Sequence, residues 1–213
     1  MINSFIHGGA WRDPLITKSV AKPLFDSVLS RVPKCNAASI NYRLSHHPSH
    51  PDLDQSAKHP DHANDVRAAL SFLQKEYGMD SRRCILVGHS AGAFIAFQVE
   101  TNEAAVVGVE GVYDLSELVK ENHAYGVFVE SAFGPRSNWD GARASGEGTA
   151  EVVLVQSLDD ELLGMQQTTY WGSILTRERG RQVKVVETHG SHNDVVTGAD
   201  LVEVVLDLLS GHA

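Results

Sequence analysis

The chain has 213 residues, 42% of them hydrophobic and 21% charged, enough for one sizeable core and too apolar for a disordered segment. Lys and Arg number 18 against 27 Asp and Glu, and the resulting formal charge of −9 repels phosphate backbones and anionic lipid, which excludes nucleic acid and membrane as expected partners. Cys35 and Cys84 are too few for a disulfide framework; with no basic-then-apolar leader and no apolar run of the ~18 residues a membrane span needs, a cytoplasmic location is expected.

The first predicted strand, Asn3 to Ile6, runs straight into "HGGAW". Two consecutive glycines strip the backbone of β-carbons, so N–H groups are exposed to close approach. Ala37 to Tyr42 is the second strand. It leads into "LSHHPSHPDLDQSAKHPDH", a polar loop with five histidines and three prolines. Their spacing matches no finger or helical ligand pattern, so these histidines are expected to be solvated and no metal is expected. Val66, Ala69, Leu70, Leu73 and Tyr77 then fall at helical spacing, with Asp61 as the expected N-cap and Gly78 as the stop. Cys84 to Val87 is the third strand, Val106 to Val112 the fourth.

From Tyr125 to Thr149 aromatic residues alternate with Gly and Ser, and the span of about 115–149 is expected to be a lid or substrate-binding insertion. The strand Val152 to Val155, a helix from about Glu161 to Glu178, the strand Val183 to Glu187 and a final helix ending at Gly211 complete the chain. Leu201, Val204, Val205 and Leu208 share one face of that helix. Short apolar strands alternating with helices predict an α/β fold, a mostly parallel sheet of about six strands with helices on both faces, in a single domain over 1–213.

The chemistry centres on "CILVGHSAGAFIAFQ", a strand, a Gly88-His89-Ser90-Ala91-Gly92 turn and a helix. This is the context that the G-x-S-x-G pattern requires for a nucleophile on a strained elbow. A serine hydroxyl needs a base held by a third group, and both should lie C-terminal, at the carboxyl ends of later strands. The loop "QSLDDELL" offers Asp159 or Asp160, and "THGSHNDVV" offers His189 or His192. Asp160 is preferred because Leu162, Leu163 and a helix come after it; Asp159 then reads as an exposed cap. His192 is preferred because it lies far enough beyond its strand for the loop to curl over the sheet edge, with His189 as a loop residue packed nearby. Gly8, Gly9 and Ala91 are the candidate oxyanion donors. His7 reads as a positioner of the loop rather than a base. Trp11 could supply an aromatic wall to the substrate or simply pack.

"HGGAW", "NYRLS", "HPDHANDVRAAL", "GHSAGAFIAFQ", "GVEGVYDL", "SAFGP", "DDELL" and "HND" together resemble the fungal kynurenine formamidases, an α/β-hydrolase branch related to hormone-sensitive-lipase-like esterases. The resemblance implies a triad of Ser90, Asp160 and His192 that hydrolyses N-formyl-L-kynurenine to L-kynurenine and formate, in tryptophan catabolism toward NAD, with no metal or organic cofactor. The expected partner is that small molecule, and a homodimer is compatible with the sequence. Two other readings are a carboxylesterase acting on another small acyl substrate and an inactive hydrolase fold retained for binding. Members of the family normally carry a few dozen residues before HGG, including the antiparallel start of the sheet, whereas six precede it here. The strand over 37–42 is therefore expected to have an unpaired outer edge.

Overall fold

The computed structural model of the chain describes residues 2–53 and 55–212. Six strands, β1 (Ile2–Ile6), β2 (Asn36–Ile40), β3 (Cys84–His89), β4 (Ala105–Val109), β5 (Glu151–Ser157) and β6 (Val183–Thr188), form one all-parallel sheet in the order β2-β1-β3-β4-β5-β6. All the carboxyl ends therefore open on one rim. Within the sheet β2 pairs only with β1, so its outer edge is free among the described residues, as expected.

Side chains alternate between the two faces with period two. On β3, Ile85 and Val87 pack with helices α1 (Lys22–Arg31) and α7 (Ala199–Gly211), while Cys84 and Leu86 face α2 (Asp61–Tyr77), α3 (Ala91–Val99) and α6 (Met165–Arg179). All six residues of β3 are buried, which is why the strand reads as a continuous apolar run. Leu201, Val204, Val205 and Leu208 are buried on α7, as their spacing predicts.

The boundaries moved where side chains compete with the regular backbone. The fourth strand stops at Val109 rather than Val112 because Glu110 adopts a positive φ of 45°. The helix expected from Glu161 begins at Met165, because the Asp160 carboxylate takes the N–H groups of Leu162 and Leu163 and Gly164 is extended. Asp61 is not an N-cap: Pro60 holds that position without a side-chain bond, and the Asp61 carboxylate turns back to the N–H of Lys58 at 3.3 Å. Gly78 and Gly180 do end their helices, both in the left-handed region.

Helix α1 was not legible in the chain. Only Leu24 and Val28 of its residues are fully buried, too few for a visible stripe, although Pro23 at its first turn is a usable start signal. The span of about 115–149 is also more regular than its composition suggests, with α4 (Leu115–Glu121), α5 (Gly126–Phe133) and a fully packed Trp139. Nor are the loop histidines all solvated. His62 is buried on α2 beside the Ser45 hydroxyl at 3.0 Å, and His59 stacks on Phe133 with ring centroids 4.8 Å apart. Among the described residues no helix is long and apolar enough to cross a membrane.

Candidate active site

Ser90 sits between the end of β3 and the start of α3 with φ 54° and ψ −121°, a conformation strained for any residue with a β-carbon. Its neighbours explain the glycines around it. A β-carbon at Gly88 would lie 2.4 Å from the carbonyl oxygen of Gly92, and one at Gly92 would lie 2.2 Å from that of Ile6. The strand, the helix and the end of β1 can thus meet only without side chains there. Gly8 is held to the same standard by Ser90 itself, whose Cβ would be 2.8 Å from an added methyl.

The Gly8–Gly9 turn is held from outside. The Tyr42 hydroxyl donates to the carbonyls of His7 and Gly8 at 3.0 and 2.9 Å, and the His7 ring stacks on Tyr42 at 4.4 Å. His7 Nδ1 donates to the Gly8 carbonyl at 3.0 Å. Burial pushes His7 down to about 4, so its ring is neutral near pH 7 and acts as a brace. With these carbonyls tied back, the N–H groups of Gly8, Gly9 and Ala91 make no hydrogen bond among the described residues. Ala91 is the first residue of α3, where an unpaired N–H and the helix dipole both favour negative charge.

The two acid–histidine choices resolve into two separate pairs. Asp160 and His192 are buried, with side chains 1% and 5% exposed, and His192 Nδ1 donates to Asp160 Oδ2 at 2.8 Å. Asp159 and His189 pair at the same distance but are 61% and 75% exposed. Asp159 is thus a hydrogen-bond partner of His189 rather than a helix cap, and His189 is in solvent rather than packed. The Asp160 carboxylate also accepts Leu162 N–H and Leu163 N–H at 2.8 and 2.9 Å and Gln156 Nε2 at 3.1 Å. Burial alone would raise its pKa, but hydrogen bonds from His192, Glu110 and the Leu163 N–H outweigh burial and hold it well below the usual carboxylate range.

His192 is anchored at both ends of its backbone. Its N–H donates to Glu161 at 3.0 Å, and its carbonyl accepts Nε2 of the buried His89 at 3.0 Å. Burial and then the neighbouring His192 push His89 down to about 3. The hydroxyl of Ser90 makes no hydrogen bond among the described residues. Trp11 is 1% exposed and packs against Phe94, Phe128 and Phe133, so it supports an aromatic wall from behind. Phe128 is the half-buried ring of that group, and the Arg12 guanidinium lies 5.7 Å from its centroid.

Sequence reasoning missed Glu110, Tyr42, Gln156 and His89 as parts of the site. Glu110 had a visible signal, a lone carboxylate at the end of "VVGV". The four non-glycine residues with positive φ among the described residues are Ala10, Trp11, Ser90 and Glu110, all on this rim. Strain collected in one place is the pattern expected of a functional site.

Glu110, Asp160 and His192 are the acid and imidazole groups that converge, with atoms within 4.8 Å of one another. A cation there would have to displace the His192–Asp160 bond and N–H donors already seated on Asp160. We therefore expect hydrolysis to be unchanged by a chelator; activity lost to EDTA and restored by zinc would reverse this.

The BD-FAE family model matches residues 2–139. The chain is similar to the kynurenine formamidase avaC of Aspergillus versicolor, at 34% identity covering 90% of this chain and 82% of the relative. It is similar to the kynurenine formamidase-like hydrolase fscH of Fusarium equiseti, at 36% over 94% of this chain and 80% of the relative. A kynurenine formamidase of Meyerozyma guilliermondii is 30% identical, covering 98% and 84%. Among solved structures, carboxyl esterase 2 of Tuber melanosporum superposes with a TM-score of 0.75 at 16% identity, covering all of this chain and 79% of the esterase. An esterase of Thermogutta terrifontis gives 0.71 at 15%, covering 99% and 82%. At these identities the two esterases speak to the fold alone.

Proposed function

The chain belongs to the kynurenine formamidase-like α/β-hydrolases, and on that footing we propose that it cleaves the formamide of N-formyl-L-kynurenine to L-kynurenine and formate. The observation that carries a serine-hydrolase reading is the rim itself: a strained Ser90, a buried Asp160–His192 pair, and N–H groups at Gly8, Gly9 and Ala91 that are unpaired among the described residues. Within that class, the names of the relatives favour a formamidase.

In this reading His192 takes the Ser90 proton on Nε2 as Oγ attacks the formyl carbon. The oxyanion rests on the N–H of Ala91 together with Gly8 or Gly9. The same proton passes from Nε2 to the departing arylamine as the C–N bond breaks, leaving a formyl ester on Ser90. Water, deprotonated by His192, then attacks the formyl ester, the C–Oγ bond breaks, and His192 returns that proton to Ser90 as formate leaves. Asp160 keeps the proton of His192 on Nδ1 throughout, so Nε2 is the free base.

On the amine side, we read Phe128 on α5 as a platform for the aromatic ring and the span of about 115–149 as the substrate-side wall. Arg12 has no ion pair among the described residues, is half-buried, and has its pKa lowered by burial. It is suited to receive the carboxylate of an amino-acid tail.

The test is kcat/KM on N-formylkynurenine against short nitrophenyl esters. The formyl anilide should be preferred, and Arg12→Ala should raise its KM about tenfold more than that of the ester, the loss of one charge-assisted hydrogen bond. An enzyme that cleaves the esters and ignores formylkynurenine is instead a carboxylesterase. A folded chain that turns over neither supports the binding-only reading.

A further inference from the structure

A second carboxylate stands directly behind the acid of the proposed triad. Glu110 is 0% exposed, at the end of β4, in the left-handed region that holds its side chain toward the β5 terminus. The N–H of Ser157 donates to its Oε1 at 2.7 Å, and Gln156 Nε2 bonds its Oε2. Gln156 Nε2 is also bonded to Asp160 and to the Leu163 carbonyl, so one amide holds both acids together. The Thr168 hydroxyl bonds Oε1 of that amide at 2.9 Å and fixes its orientation.

Glu110 and Asp160 bring carboxylate oxygens within 4.8 Å of each other away from solvent, with no arginine or lysine bonded to either among the described residues, so ionising both is strongly disfavoured. The arrangement of donors says which one keeps a proton. Asp160 receives His192, Gln156 and two backbone N–H groups, all of which favour its anion. Glu110 receives one backbone N–H and a share of the Gln156 amide.

We propose that Glu110 is a positioning residue that stays protonated at working pH and donates a hydrogen bond to Asp160, holding that carboxylate in the orientation His192 needs. This rests on the serine-hydrolase reading above. The titratable groups facing Glu110 are Asp160 and Glu161 from the turn after β5, His192 from the loop after β6, and Tyr113 from the turn after β4. Burial first, and then the hydrogen bond and charge of Asp160, push Glu110 up to about 9. As pH rises through that value Glu110 ionises, two anions abut, and Asp160 is driven from its place against His192.

The test compares wild type with Glu110→Gln, which is nearly isosteric. Its amide can donate to Asp160 and accept from Ser157 N–H, while Gln156 keeps Asp160 and Leu163 as partners. Wild-type kcat/KM should fall along an alkaline limb centred near pH 9. Glu110→Gln should retain activity within about tenfold at pH 7, the scale of one altered hydrogen bond, and should lack that limb. A protonated-carboxyl stretch seen by infrared in wild type should be missing from the variant at pH 7. A purely structural role would leave the limb in place in both proteins. An alkaline limb shared by both proteins, its absence from wild type, or an unchanged infrared band overturns this inference alone. A wild-type protein that hydrolyses neither substrate overturns the serine-hydrolase reading with it.

Discussion

Ser90→Ala lowers kcat by about a millionfold and leaves the folded protein as stable as wild type, to be measured by single-turnover hydrolysis alongside a thermal melt. The size reflects the role: with no Oγ there is no acyl-enzyme, and the remaining donors at Gly8, Gly9 and Ala91 can only polarise a carbonyl that nothing attacks efficiently. Stability is spared because the hydroxyl makes no hydrogen bond among the described residues, and because alanine meets the same backbone strain at φ 54° as serine does. Substantial hydrolysis by a folded Ser90→Ala protein would remove this residue from the mechanism.

Asp160→Asn should cost about ten-thousandfold in kcat, whereas Asp159→Asn should stay within about threefold of wild type. The physical reason is the tautomer. The Leu162 and Leu163 N–H groups require an oxygen at Oδ1, so the asparagine NH2 must face His192. It then donates to Nδ1, which forces the imidazole proton onto Nε2, where a base must have a lone pair. Asp159 and His189 copy the 2.8 Å contact in solvent, where such a contact contributes little and holds no ring in place. A collapse in the Asp159 variant with a near-normal Asp160 variant would exchange the two acids.

The pattern around Ser90 was legible because each glycine answers a local steric demand. Gly88 and Gly92 let strand and helix touch, Gly8 clears Ser90, and a sequence reports such demands by leaving side chains out. The continuous apolar run of β3, the stripe on α7 and the stops at Gly78 and Gly180 are local in the same way. So residue order alone determined the α/β class, the strained turn at Ser90, the candidate donors of the HGG turn, and the two short loops that carry the candidate acid and base. It could rank Asp160 above Asp159 and His192 above His189, because the distance of each from its strand and the residues next in the chain are also local.

Other features depended on which chain segments the sheet brings side by side. Strand order puts the end of β4 beside that of β5, and only this makes Glu110 and Asp160 neighbours across 50 residues of sequence. That adjacency also ties Gln156 to both acids, while the pairing of β2 with β1 brings Tyr42 onto the carbonyls of His7 and Gly8. Burial is likewise a property of the assembled molecule: it separates the Asp160–His192 pair from its exposed twin and keeps His7 and His89 neutral. A carboxylate's proton or an imidazole's charge is set by the desolvation and hydrogen bonds that distant segments impose, and those exist only once the sheet has formed.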